Sequence, residues 1–133
     1  MRYSEYFEQA LSVAPQCPVE SERLLREAEE HSGKSFANDL CLCGEGWWRI
    51  LGNRDQAMRC ILLAEARHWD DCREQLVVAE AYWQLFQDKQ SVKRCLQKAI
   101  AAAKTEDHKE RISEFLMKLG LQHEITETGT KLA

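Results

Sequence analysis

The chain has 133 residues, a formal net charge of −4 and a pI near 5.6. That length fits one domain, and four Trp, three Tyr and four Phe supply enough apolar bulk for a core. The acidic balance argues against electrostatic capture of nucleic acid, no apolar run approaches the roughly 20 residues of a membrane-spanning helix, and no signal-peptide core opens the chain. The expected setting is cytoplasmic and reducing, which makes the six cysteines thiols rather than a disulfide framework. The acidity is concentrated: residues 1–31 hold seven acids against three bases, and the remainder balances. A solvated acidic helix face explains this most simply.

In chain order, residues 3–14 predict a helix with Tyr3, Tyr6, Phe7, Ala10, Leu11 and Ala14 at helical spacing. Pro15 and Pro18 force a loop, and Pro18 stands where a second helix, about 19–31, tolerates a missing N–H. Leu24, Leu25 and Ala28 mark its apolar face, with Gly33 beyond as a stop. Ser35 is placed to cap a third helix, about 36–51, with Phe36, Leu40, Cys43, Trp47 and Ile50 inward. Gly44 inside it costs roughly 1 kcal/mol against alanine and predicts a close approach of two helices. Gly52-Asn53 ends this helix and caps the next, about 54–68, which turns Ala57, Cys60, Ile61 and Ala64 inward.

Asp71 with Glu74 has capping-box spacing at the start of a fifth helix, about 71–86, with Val78, Tyr82 and Leu85 as its core line. Asp88 caps a sixth, about 89–103, built on Val92, Cys95, Leu96 and Ala99. Thr105 caps a seventh, about 106–119, with Ile112, Phe115, Leu116 and Leu119, and Gly120 ends it. No segment carries a strand signal. Residues 121–133 lack an apolar period and read as a flexible tail, and Lys131-Leu132-Ala133 also fits a vector-derived scar.

Two blocks repeat. WWRILGNRDQAMRCILLAEA, from Trp47 to Ala66, and YWQLFQDKQSVKRCLQKAIA, from Tyr82 to Ala101, superpose 35 residues apart. The step pairs Trp47 with Tyr82, Trp48 with Trp83, Asn53 with Asp88, Ala57 with Val92, Cys60 with Cys95 and Ala64 with Ala99. A period of this size marks a helical solenoid, in which no unit buries its apolar face alone.

These residues resemble the tetratricopeptide (TPR) repeat family. Gly44, Trp47, Gly52-Asn53, Ala57 and Ala64 fill the family's small, aromatic, turn and alanine positions in one unit; Ala79, Tyr82, Gln87-Asp88, Val92 and Ala99 fill them in the next. The chain departs from the pattern in three ways. One extra residue, Leu51 or Phe86, precedes each turn, the proline after the second helix is missing, and Leu40 and Gln75 replace an early Trp. The resemblance covers about 36–101 well, 3–31 weakly, and 106–119 as a single helix.

It implies an all-α fold: a right-handed α-solenoid of antiparallel helix pairs, about seven helices, over a single domain 1–120 with its clearest repeats at 36–68 and 71–103. It also implies a non-enzymatic protein–protein interaction module that binds a peptide or partner helix in a concave groove lined by first helices. By position, that surface is Asn38, Cys41, Glu45, Trp48 and Arg49 from one unit, and Arg73, Leu76, Glu80, Trp83 and Gln84 from the next. Trp48 and Trp83 lie one residue, or about 100° of rotation, from the core aromatics, and Trp with Arg is common anchor chemistry at interfaces. The competing reading packs both Trp between helices of neighbouring repeats.

Two further readings use the same scaffold: a homodimer that covers exposed array ends, and a thiol- or metal-responsive regulator. The second is disfavoured locally. Cys41 and Cys43 on one helix point about 200° apart and cannot share an ion, while Cys60 and Cys95 occupy matched positions, as small buried residues do. No cofactor is expected. His31 and His68 fall at helix C-termini, where the dipole suits a cation, and no Ser–His–Asp order, phosphate loop or HExxH motif supports catalysis.

Overall fold

A computed structural model describes residues 3–31 and 37–120. Among them are seven α-helices: α1 Tyr3–Val13, α2 Pro18–His31, α3 Ala37–Leu51, α4 Arg54–Arg67, α5 Cys72–Phe86, α6 Lys89–Ala102 and α7 Glu106–Leu119. Each boundary falls within one residue of its sequence expectation, and the described residues contain no strand. Gly33, Ser35, Phe36 and the tail 121–133 lie outside the described residues. No helix among the described residues is long and apolar enough to cross a membrane.

The chain divides into two compact units, Met1–Arg67 and His68–Ala133. In the first, α1 pairs with α2, α3 pairs with α4, and α2 packs on α3. The hairpins are antiparallel. The Ser21 hydroxyl of α2 donates to the Ala10 carbonyl of α1 at 2.8 Å, across a buried contact equidistant from the turn. Tyr6, Ala10, Leu24, Leu25 and Ala28 close that seam. Leu11, expected inside, is 62% exposed. One residue beyond Ala10 is about 100° around the helix, which carries it past the edge of the face that α2 covers.

Between α3 and α4 the glycine reading holds. A Cβ on Gly44 would stand 3.0 Å from the Ala57 carbonyl oxygen and 3.1 Å from Ile61 Cγ1. A methyl group there would be tighter than ordinary packing, and the neighbours would have to give by a few tenths of an ångström. Leu40, Cys43, Trp47, Ala57, Cys60, Ile61 and Ala64 are buried around this seam. Trp47 also receives Arg26 of α2 over its ring, 5.3 Å from the centroid, while its indole N–H finds no hydrogen-bond partner among the described residues.

The second unit repeats the hairpin with α5 and α6 and adds α7, which packs on both. Its seam is Gln75, Val78, Ala79 and Tyr82 against Val92, Cys95, Leu96 and Ala99, with Ile112, Phe115 and Leu116 from α7. Buried Gln75 stands 35 residues from buried Leu40, and its amide donates to the His68 carbonyl at 2.8 Å, tying α5 to the turn before it. Asp71 caps α5 by accepting from the Glu74 N–H at 3.1 Å, and Thr105 caps α7 by accepting from the His108 N–H at 3.1 Å.

The two hairpin turns have one construction. Gly52 has φ +63°, and its N–H donates to the Trp48 carbonyl at 2.9 Å, while Asn53 N–H donates to the Trp47 carbonyl at 3.0 Å. Gln87 has φ +50°, and its N–H donates to the Trp83 carbonyl at 2.9 Å, with Asp88 N–H directed at the Tyr82 carbonyl. Both helices therefore end in a left-handed residue, as a Schellman-type cap requires. Asn53 Oδ1 then accepts from the Gln56 N–H, and Asp88 Oδ1 from the Ser91 N–H, so the residue that ends one helix also starts the next. The 35-residue step seen in the sequence is thus a step between equivalent backbone conformations.

Candidate functional site: the cleft between α5 and α7

The ten expected contact residues separate into distinct environments. In the first unit, Asn38 and Arg49 are exposed, Glu45 and Trp48 are half-buried, and Cys41 is only 7% exposed. Arg49 Nε donates to Glu45 Oε1 at 3.1 Å on the α3 surface. Arg54, at the start of α4, lies over the Trp48 ring, 6.0 Å from its centroid. Cys41 is withdrawn because α3 buries both flanks of its apolar stripe: Cys43, two residues on, is buried as well.

In the second unit Arg73, Leu76 and Glu80 lie along one side of α5, three and four residues apart, the spacing that stacks side chains on a helix face. That side faces α7. Arg73 donates to Asp107 Oδ2 at 2.9 Å, and Lys118 near the end of α7 pairs with Glu80. Residue 73 therefore meets 107, and residue 80 meets 118, so α5 and α7 run parallel. The space between them is a cleft of about 390 Å³. Leu76, Val77 and Phe115 supply its apolar lining; Arg73, Glu80, Arg111, Glu114 and Lys118 are its charged walls. Leu76 is 8% exposed, so it offers a floor rather than a projecting anchor. Gln84 is exposed and donates to Glu80 at 3.0 Å; Trp83 is half-buried and stands apart from the cleft lining.

The structure therefore gathers Arg73, Leu76 and Glu80 and leaves Trp83 and Gln84 outside. It adds four residues of α7 that sequence reasoning did not name as contacts. The repeat does not find them. A further step of 35 residues from Leu76, Glu80 and Trp83 lands on Arg111, Phe115 and Lys118, but the burial pattern does not follow that step: buried Val78, Ala79 and Tyr82 of α5 land on exposed Ser113, Glu114 and Met117 of α7.

Asp107 organises the start of the cleft. Arg73 from α5 and Arg111 from α7 both donate to its Oδ2, at 2.9 and 3.0 Å, and these bonds hold its carboxyl below the usual aspartate range. These exposed pairs set geometry more than stability.

The thiols form no comparable site. Five of the six are buried, and Cys17 is exposed. Cys60 lies 3.7 Å from Glu29 Oε1, and Glu29 in turn accepts from Arg59 at 2.8 Å. Burial first, and then the Glu29 charge, push the Cys60 thiol upward, and burial does the same to Cys72. A thiol held protonated is a weak nucleophile and a poor metal ligand. The described residues bring no three His, Cys, Asp or Glu side chains together around a common point fit for a metal.

No protein-family model matches the chain, and no curated protein or solved structure does either.

Proposed function

We propose that the chain is a divergent TPR-like α-solenoid module, non-enzymatic and cytoplasmic, that binds a peptide segment of a protein partner in the α5–α7 cleft. The observation that carries this reading is the recurrence of one buried hairpin seam at a fixed step. Trp47, Ala57, Cys60 and Ala64 of one hairpin and Tyr82, Val92, Cys95 and Ala99 of the next are related by 35 residues and are all fully buried, and α7 lies across the cleft from α5. Parallel first helices separated by an antiparallel second helix are what a stacked hairpin array produces. The cleft is large enough for a ligand's side chains, and its five charged residues around three apolar ones suit a charged peptide better than an apolar small molecule. The two matched turns support the same repeat reading, because each hairpin turns through the same left-handed cap.

The test is selection from a displayed peptide library against the full chain, followed by counter-screening on a Leu76→Asp and a Glu80→Lys variant. Peptides enriched on the parent chain should lose most of their binding to both variants, with helical circular dichroism unchanged for Glu80→Lys. Enriched peptides that ignore both substitutions would move the interaction away from this cleft. Failure to enrich any peptide would remove the reading.

A further inference from the structure

The charge layout of the cleft specifies what kind of peptide it takes, an inference that rests on the reading just given. Two guanidiniums, Arg73 and Arg111, share one carboxylate oxygen at Asp107, and their side chains remain 56% and 49% exposed. Two positive side chains thus share one hydrogen-bonded carboxylate. Farther along the helices the balance reverses: Glu80 and Glu114 stand with one base, Lys118, which is already paired to Glu80. The cleft is therefore positive where α5 and α7 begin and negative toward their ends, with Leu76 and Phe115 between.

The form of the occupant follows from what bridges the cleft. The Arg73–Asp107 and Glu80–Lys118 pairs join α5 to α7 at its two ends, so a partner helix could not wedge between the two helices without breaking them, and the opening between the bridges takes side chains presented by an extended segment. Asp107, where the two guanidiniums meet, and Glu114 are seven residues apart, about 10 Å along a helix, which an extended chain covers in about three residues at roughly 3.3 Å each.

We propose that the cleft binds an extended partner segment with an acidic residue, an apolar anchor, and a basic residue three to four positions from the acid. The acid pairs with Arg73 and Arg111, the anchor rests on Leu76 and Phe115, and the base meets Glu114.

The experiment is fluorescence anisotropy of the full chain with a labelled five-residue peptide of pattern glutamate–leucine–alanine–leucine–lysine. A second peptide, with the glutamate changed to lysine, is the control. The first should bind saturably and the control about tenfold more weakly, as expected when a charge pair becomes like-charged. Arg73→Glu with Arg111→Glu should reverse the preference, and Arg111→Gln, which does not place a new acid beside Asp107, should weaken only the glutamate peptide. Equal binding of both peptides to the parent chain, abolished by Leu76→Asp, would overturn the charge assignment while leaving the cleft as a peptide site. No saturable binding of either peptide would overturn both.

Discussion

Gly52 and Gln87 occupy the same place in two turns, yet only one of them is glycine, and this sets up substitutions of opposite sign. Both residues have positive φ, +63° and +50°. A residue with a Cβ in that region costs about 1–2 kcal/mol, which glycine avoids. Glycine loses about 0.4–1 kcal/mol of that advantage because its unfolded chain is freer. A Cβ placed on Gly52 meets nothing within 4 Å, so Gly52→Ala changes backbone preference and introduces no clash. It should destabilise by about 1 kcal/mol. Gln87→Gly should stabilise by about 0.5–1 kcal/mol, because the same strain is already present and is relieved. Urea unfolding followed by far-ultraviolet circular dichroism reads both. With a slope of about 2 kcal/mol/M, the midpoints should move by roughly 0.5 M in opposite directions. A neutral Gly52→Ala, or two shifts of the same sign, would refute the view that a left-handed terminal residue sets the register of both hairpins.

At Gly44 the opposing terms are helix propensity, which favours Ala by about 1 kcal/mol, and overpacking, which costs about 1–3 kcal/mol. Because the closest atom is the Ala57 backbone oxygen at 3.0 Å, and not a mobile side-chain end, Gly44→Ala should destabilise; a rise in melting temperature would contradict it. The third expectation concerns acid. Ser91 donates its hydroxyl and its N–H to Asp88 at 2.6 and 3.2 Å, which holds that carboxyl below its ordinary value. A lowered folded-state value means the stabilisation is complete above the unfolded value of about 4 and fades as pH falls through the folded one. Asp88→Asn should flatten the loss of urea midpoint between pH 6 and pH 3, and an unchanged slope would show that Asp88 does not contribute.

The helices were legible because their signals are local. Asp71, Asp88 and Thr105 each announce a cap, Gly52 and Gly120 each announce a stop, and the structure places every one of these in that role. Gly44 was legible for a similar reason: a residue that costs helix stability and still sits mid-helix points to a neighbour close by. Side-chain destinations were harder. Leu11 satisfies the helical period yet is exposed, because the period gives a direction and not the width of the covering helix. Cys41 and Leu76 were assigned to a surface and are buried, since a stripe flanked on both sides cannot be told from a stripe with one open edge.

The cleft shows where pattern reading stops and packing takes over. Periodicity in α7 assigns Phe115 to the core, which its 7% exposure supports, but Arg111, Glu114 and Lys118 carry no apolar signal. Their importance comes from the helix they face. Once α7 lies parallel to α5, three charged positions with no pattern of their own become one wall of a cavity. A lone helix at the end of a repeat is therefore read from what it faces and not by extending the repeat: a step of 35 residues carries buried Val78, Ala79 and Tyr82 onto exposed Ser113, Glu114 and Met117. The residues that meet across the cleft are matched by level instead, Arg73 with Asp107 and Glu80 with Lys118, 34 and 38 residues apart. Parallel helices turn different faces to each other, so α5 and α7 bring different chemistry to one cleft: α5 contributes Leu76 and Glu80, α7 contributes Arg111, Phe115 and Lys118. That difference supplies the polarity that the proposed partner would read.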